Sequence, residues 1–192
     1  LKYLTGKEGI SQWRGSPMKV GALGDKVVAI PTFHPSFIIK NQRLIPLIVS
    51  DLKKGLAIPP EYYDLDPSLE KVQGLRMAEF AFDIETAYPV SEKITMVGIC
   101  WAPFHVMIVP FRGQYVEELK RLFAGAKKLI GQNIVQFDCM KLEEQGVRIN
   151  SDAELWDTML MHHLICPDMK DYNDIEAIGS QFSNKPAWKH EH

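Results

Sequence analysis

The sequence predicts an α/β protein in which a mixed sheet flanked by helices fills the last two-thirds and a small α/β segment precedes it. Three observations carry this reading. Consecutive stretches rich in Phe, Ile and Val, separated by turn residues, cover Ala78–Thr86, Ile94–Trp101 and His105–Phe111. After them, helical and strand patterns alternate along the chain. Ahead of them, the segment from Ile58 to Leu69 holds three prolines and little periodicity, so 57–76 reads as a linker.

Before that linker, Lys26–Pro31 is a short apolar run with the character of a buried strand. A turn at His34-Pro35-Ser36 follows, then apolar residues at helical spacing: Leu44, Ile45, Ile48 and Leu52. Proline is tolerated in a first helical turn, so Pro46 places the start of this helix near Leu44. Beyond the three strands, Tyr115–Ala126 is an amphipathic helix and Lys128–Gln132 a short strand. Val135–Gln145 is a helix closed by Gly146. A strand near Glu154–Trp156 leads into a helix over Asp157–Ile165, and Asn173–Phe182 is a further helix. This order matches an RNase H-like fold.

With 46% apolar and 24% charged residues, a chain of 192 can bury one domain or two small ones. No stretch reaches the roughly 18 apolar residues of a membrane helix, and no basic start precedes an apolar run as in a signal peptide. A chain beginning at Leu1 reads as a piece of a longer one. Cys100, Cys139 and Cys166 are odd in number and widely spaced, which points to a reducing cytoplasm. His162, His163 and Cys166 share a helix, but the other close pair, His190 and His192, sits at a chain end, and zinc is not expected. Charge is uneven. Residues 1–54 hold nine Lys/Arg against three Asp/Glu, a balance of +6, and the remainder holds 13 against 21, a balance of −8. A basic segment beside an acidic one suits a polyanionic partner for the first.

The acids that carry chemistry begin in Glu79-Phe-Ala-Phe-Asp-Ile-Glu-Thr86. Side chains alternate along a strand, so Phe80, Phe82 and Ile84 face one way and Asp83 and Glu85 the other. Two neighbouring carboxylates repel unless neutralised, and a hard divalent cation does so. The alternative is an edge strand with solvated acids, which the aromatic flanks argue against. Some fifty residues on, Gly131-Gln-Asn-Ile-Val-Gln-Phe-Asp138 runs from a strand end into a helix. Asp138 there can return to the sheet's carboxyl edge, where open sheets carry their sites. Asn133 stands at the junction, able to hold a turn or a substrate. Asp157 is placed to cap a helix rather than to ligate.

Phe82-Asp-Ile-Glu-Thr86, Gly131-Gln-Asn-Ile-Val-Gln-Phe-Asp138 and Asp157-Thr-Met-Leu160 resemble successive landmarks of the DEDD exonuclease superfamily. The resemblance is closest to the proofreading domains of family A DNA polymerases, including phage ones, and covers about 77–192. It implies a 3′→5′ exonuclease with two Mg²⁺ or Mn²⁺ ions held by Asp83, Glu85 and Asp138, in a prokaryotic or phage-infected cell. It also implies a single-stranded or frayed 3′ end of DNA as substrate and a polymerase domain in the same full-length chain. Thr86, Asn133 and Phe137 are then expected to grip the strand end, Phe137 by stacking. The family's fourth carboxylate comes from a late Tyr-x-x-x-Asp or His-x-x-x-Asp motif. Here the near match, Tyr172-Asn-Asp-Ile-Glu176, comes too soon, ends in Glu, and reads as the start of the next helix. The tail from Asn184 to His192 resembles the segment just before that motif, so the fragment alone is expected to be nearly inactive.

In residues 1–56, Gly15-Ser-Pro17, Val27-Val-Ala-Ile-Pro-Thr-Phe-His-Pro-Ser36 and Asp51-Leu-Lys-Lys54 resemble the C-terminal part of uracil-DNA glycosylases. The resemblance makes His34 and Ser36 a vestigial base-facing loop. The plainer reading is a strand–turn–helix with His34 and Pro35 closing the turn. Two other functions stand beside the nuclease: a non-catalytic RNase H-like module that binds nucleic acid, and a 3′→5′ exoribonuclease.

Overall fold

The computed structural model describes residues 1–24, 26–54, 60–169 and 172–184. In chain order, the first stretch forms α1 (Lys2–Thr5), α2 (Ile10–Trp13), β1 (Met18–Lys19), β2 (Val28–Ala29), α3 (Pro35–Lys40) and α4 (Ile45–Lys53). Next come β3 (Tyr62–Asp64), α5 (Leu69–Gly74), β4 (Glu79–Thr86), β5 (Ile94–Ala102) and β6 (His105–Pro110). They are followed by α6 (Gln114–Ala124), β7 (Lys128–Gly131), α7 (Asp138–Glu144), β8 (Glu154–Asp157), α8 (Thr158–Ile165) and α9 (Ile175–Phe182). The chain divides into two compact units, one of Leu1–Pro59 with His162–His192 and one of Pro60–Met161. No helix of the described residues is long and apolar enough to cross a membrane.

The second unit is a six-stranded mixed sheet in the order β3-β6-β5-β4-β7-β8. β4, β5 and β6 form an antiparallel meander, whereas β7 and β8 run parallel to β4. Period-two alternation explains the strands. Phe80, Phe82 and Ile84 are buried, while Glu79, Asp83 and Glu85 are exposed on the opposite face of β4. α6 supplies Leu119, Leu122 and Phe123 at helical spacing to cover the apolar face. The Phe123 ring meets Phe80 and Phe82 edge-on, with centroids 5.3 and 5.0 Å away. Val72 of α5 and Leu142 of α7 complete the same core.

The first unit is smaller. β1 and β2 pair over two residues each, so the strand expected over Lys26–Pro31 shrinks to Val28–Ala29. α4 begins at Ile45 with Pro46 in its first turn, close to the expected start. Its core joins Phe33, Leu44, Leu47 and Met169.

Two boundaries differ from the sequence reading. The described part of 57–76 is not a linker: β3 adds parallel to β6 and α5 packs its Val72 into the core. Tyr62 and Tyr63 have the β propensity that the flanking prolines hide. Ile58 and Pro59 lie outside the described residues. The segment from His162 also clusters with the N-terminal residues rather than with 77–161. Met169 in the apolar core and a buried polar network both join it there. Arg14, 3% exposed, donates to Asp51 Oδ1 at 2.6 Å and to Ser180 Oγ of α9 at 2.9 Å. Ser50 Oγ of α4 also donates to the Gln181 carbonyl at 2.5 Å.

Gly131 closes β7 where the chain must pass tight against β4. A Cβ there would overlap Ile134 Cγ2 and stand 2.7 Å from the Phe82 carbonyl oxygen. Gly131→Ala is therefore expected to lower unfolding free energy by about 1–3 kcal/mol, as overpacking does. Urea unfolding measures this; an unchanged midpoint overturns the crowding argument.

Candidate active site

The site is built where β4 outruns β7. β7 pairs with β4 only from Glu79 to Ala81 and ends at Gly131. The last half of β4 then has β5 on one side and, among the described residues, no strand on the other. On that open side the Ile84 N–H donates to Asp138 Oδ1 at 2.9 Å. A carboxylate thus takes the place of the next strand carbonyl. Asp138 is the first residue of α7 and 3% exposed, so the helix N-terminus also favours its charge. Its neighbours on β4, Asp83 and Glu85, are exposed and share one face of that strand.

The connection from β7 to α7 is held by Asp157. Its Oδ1 accepts the Asn133 N–H at 3.0 Å and its Oδ2 the Val135 N–H at 3.3 Å. Oδ1 also accepts the N–H groups of Met159 at 3.0 Å and Leu160 at 3.4 Å, which caps α8 as its position predicts. Asp157 is 3% exposed, and four backbone donors leave it little capacity to bind anything else. These bonds pull 132–137 into a turn. Asn133 adopts φ 58, a left-handed conformation Asn tolerates, and α7 starts at Asp138 rather than at Val135. Thr158 Oγ1, 3.1 Å from the Gly131 carbonyl and 2.5 Å from Gln132 Oε1, ties the same turn to α8.

Electrostatics gather at Asp138. Burial pushes its pKa up to about 6, the Ile84 N–H opposes this, and the charges of Asp83 and Asp157 add to the rise. Asp83 and Asp138 are thus close enough to feel each other. Asn133 Oδ1 is buried with no hydrogen-bond partner, an acceptor left for a donor to fill. Phe137 precedes Asp138 with 42% of its surface exposed, and Thr86 ends β4 opposite Ile94 across a bulge. Hard carboxylate oxygens suit Mg²⁺ or Mn²⁺. Among the described residues, however, no three His, Cys, Asp or Glu side chains close into a metal-binding group. The Ile84 bond sets Asp138 beside the strand segment that carries Asp83 and Glu85, without the three completing a set.

The remaining sequence-derived residues have plainer roles. His34 caps α3, its Nδ1 accepting the Ser36 N–H at 3.2 Å and lying 2.7 Å from Ser36 Oγ. That is the turn-closing arrangement. His162 is buried, with Nδ1 2.6 Å from Asn173 Oδ1 and Nε2 3.1 Å from Gln181 Nε2, so both ring nitrogens have partners. Tyr172–Glu176 does lead into α9, whose N-cap Asp174 accepts the Ala177 N–H at 2.8 Å. Lys185–His192, including His190 and His192, lie outside the described residues. Sequence reasoning passed over the Arg14–Asp51 pair, although Asp51 sits one turn after Leu47 on the buried side of α4. A carboxylate at a core position of a helix is the signal that finds it. Comparison with known protein families and with curated proteins finds no match to this chain.

The raised pKa makes a signed prediction. Folded Asp138 holds its proton more tightly than the unfolded chain, whose Asp titrates near ~3.9. Its contribution is most favourable below about pH 4, falls as pH rises to about 6, and is constant above that. Asp138→Asn keeps an acceptor for Ile84 and removes the charge. Its melting temperature relative to wild type should climb between pH 4 and 6.5 in EDTA. A difference that does not change with pH counts against the buried charge.

Proposed function

We propose that residues 60–161 form the catalytic body of a metal-dependent 3′→5′ exonuclease acting on DNA. The observation that carries this reading is the Asp138 carboxylate, buried and bonded to the backbone of the strand that presents Asp83 and Glu85. It is supported by the sheet, whose meander followed by two strands parallel to β4 is the order expected of an RNase H-like fold. Asp83, Glu85 and Asp138 would hold the divalent ions. When bound, two such ions activate water and stabilise a leaving 3′ oxygen.

The protein's own groups have separable tasks. Asp138 holds negative charge under the β4 edge, and Asp157 fixes the turn from which Asp138 starts its helix. Phe137 offers an exposed ring to the terminal base. Asn133 Oδ1 is an acceptor for a nucleotide donor. Asp157 is not the fourth carboxylate, because its oxygens already accept four N–H groups. In this reading residues 1–56 are a glycosylase-like fragment without base-excising activity, and a polymerase domain belongs to the longer protein.

A non-catalytic nucleic-acid-binding module is the second reading, favoured by the three acids not closing into one set. Calorimetry with Mn²⁺ separates them. Wild type should bind weakly and Asp83→Ala not at all; equal binding by both removes the metal from Asp83. A 5′-labelled single-stranded DNA in Mg²⁺ should shorten slowly from its 3′ end, and Glu85→Ala should cut the remaining rate by ~10² or more. Retention of the oligonucleotide without shortening favours the binding module. Faster digestion of an RNA of the same sequence favours the exoribonuclease.

A further inference from the structure

The N-terminal unit holds a cavity of about 220 Å³ that the exonuclease reading does not use. Ser50, Lys53 and Lys54 at the end of α4 line one side, and Gln181, Phe182 and Asn184 at the end of α9 line the other. Among the described residues its lining contains no acid. We propose that this cavity binds a nucleotide, with Lys54 and Lys53 on the phosphate and the Phe182 ring against the base.

The charge balance around Lys54, which lines the cavity, is the first argument. Arg14 and Lys54 are two cations beside one carboxylate, Asp51. Both Asp51 oxygens are already engaged, Oδ1 by Arg14 at 2.6 Å and Oδ2 by Arg14 Nε at 3.3 Å and Thr32 Oγ1 at 2.7 Å. Asp51 therefore answers Arg14 and leaves a net positive charge on Lys54. Burial and Arg14 together outweigh Asp51 and bring the Lys54 amine down to about 8. Lys54 Nζ donates to the Gly15 carbonyl at 2.5 Å, which holds the amine in place with two further hydrogens to give. A phosphate oxygen supplies the missing counter-charge, and Lys53, on the same helix end, supplies a second contact.

Size and shape supply the second argument. About 220 Å³ is below the ~300 Å³ where pockets for whole organic ligands begin, so it admits a phosphate and part of a sugar. A base must then lie outside, and Phe182, 70% exposed, stands at the rim as a flat surface for it. The +6 balance of residues 1–54 draws polyanions to the same unit. The inference depends only on this unit, not on Asp83, Glu85 or Asp138.

The test is calorimetry at low salt in EDTA, with inorganic phosphate, dAMP and a 5′-phosphorylated thymidine octamer as probes. Wild type should bind dAMP more tightly than phosphate. Lys54→Gln should weaken dAMP binding at least tenfold, while Lys54→Arg retains most of it. Phe182→Ala should weaken dAMP and leave phosphate unchanged. The surface double variant Lys53→Gln with Phe182→Ala should also lose at least tenfold, which keeps the test open if Lys54→Gln does not fold. A tighter octamer assigns the site to a strand, and equal octamer and dAMP affinities assign it to a free nucleotide. Unchanged dAMP binding in Lys54→Gln, or phosphate binding as tight as dAMP, overturns the proposal. So does loss of dAMP binding in Asp83→Ala, which would put the nucleotide at the other site.

Discussion

The hydrogen bond from the Ile84 N–H to Asp138 Oδ1 is the constraint on which the candidate site depends. β4 extends past its parallel neighbour, and an interior strand cannot leave a buried N–H unmatched without cost. Asp138 meets that need and, in doing so, brings a carboxylate from 54 residues away to the strand carrying Asp83 and Glu85. One interaction serves as strand completion, helix start and placement of charge. It also works against itself: burial and two neighbouring acids make the ionised form of Asp138 expensive.

Asp157 makes that arrangement rigid. A carboxylate with four backbone donors is far more fixed than a side chain held by one. Two donors lie before α7 and two begin α8, so a single residue sets the entry of both helices after their strands. The close approach at Gly131 and the left-handed backbone at Asn133 are the conformational consequences. Neither is favourable locally; each persists because Asp157 and the β4–β7 pairing over-determine it.

The meander was legible in the sequence because its information is local. Phe80, Phe82 and Ile84 alternate with polar neighbours, and that alone sets strand type and the face on which Asp83 and Glu85 stand. The sequence also put Asp138 early in a helix after a strand, which is where it lies. The failures come from long-range partners. The helix read over Val135–Gln145 includes Val135, but its N–H goes to Asp157, 22 residues on. β3 was hidden by prolines on either side and exists because β6 offers it an edge. The membership of α9 was illegible because it hangs on Arg14 bonding Ser180, 166 residues apart, which no window of sequence displays.

The same contrast explains why the two units differ in what their sequences reveal. The sheet unit buries a continuous apolar core, so pattern and fold agree. The N-terminal unit has four residues in its buried apolar cluster and sets beside them an ion pair whose partners are 3% and 2% exposed. A buried pair contributes little net stability, yet losing one partner typically costs ~3–5 kcal/mol, because the other charge is left unmatched. Arg14, Asp51, Thr32 and Ser180 therefore specify which segments belong together more than they strengthen the unit. Specification by charge has a side effect that packing lacks. The charges must balance, and Lys54 enters the cluster as a second cation beside one carboxylate.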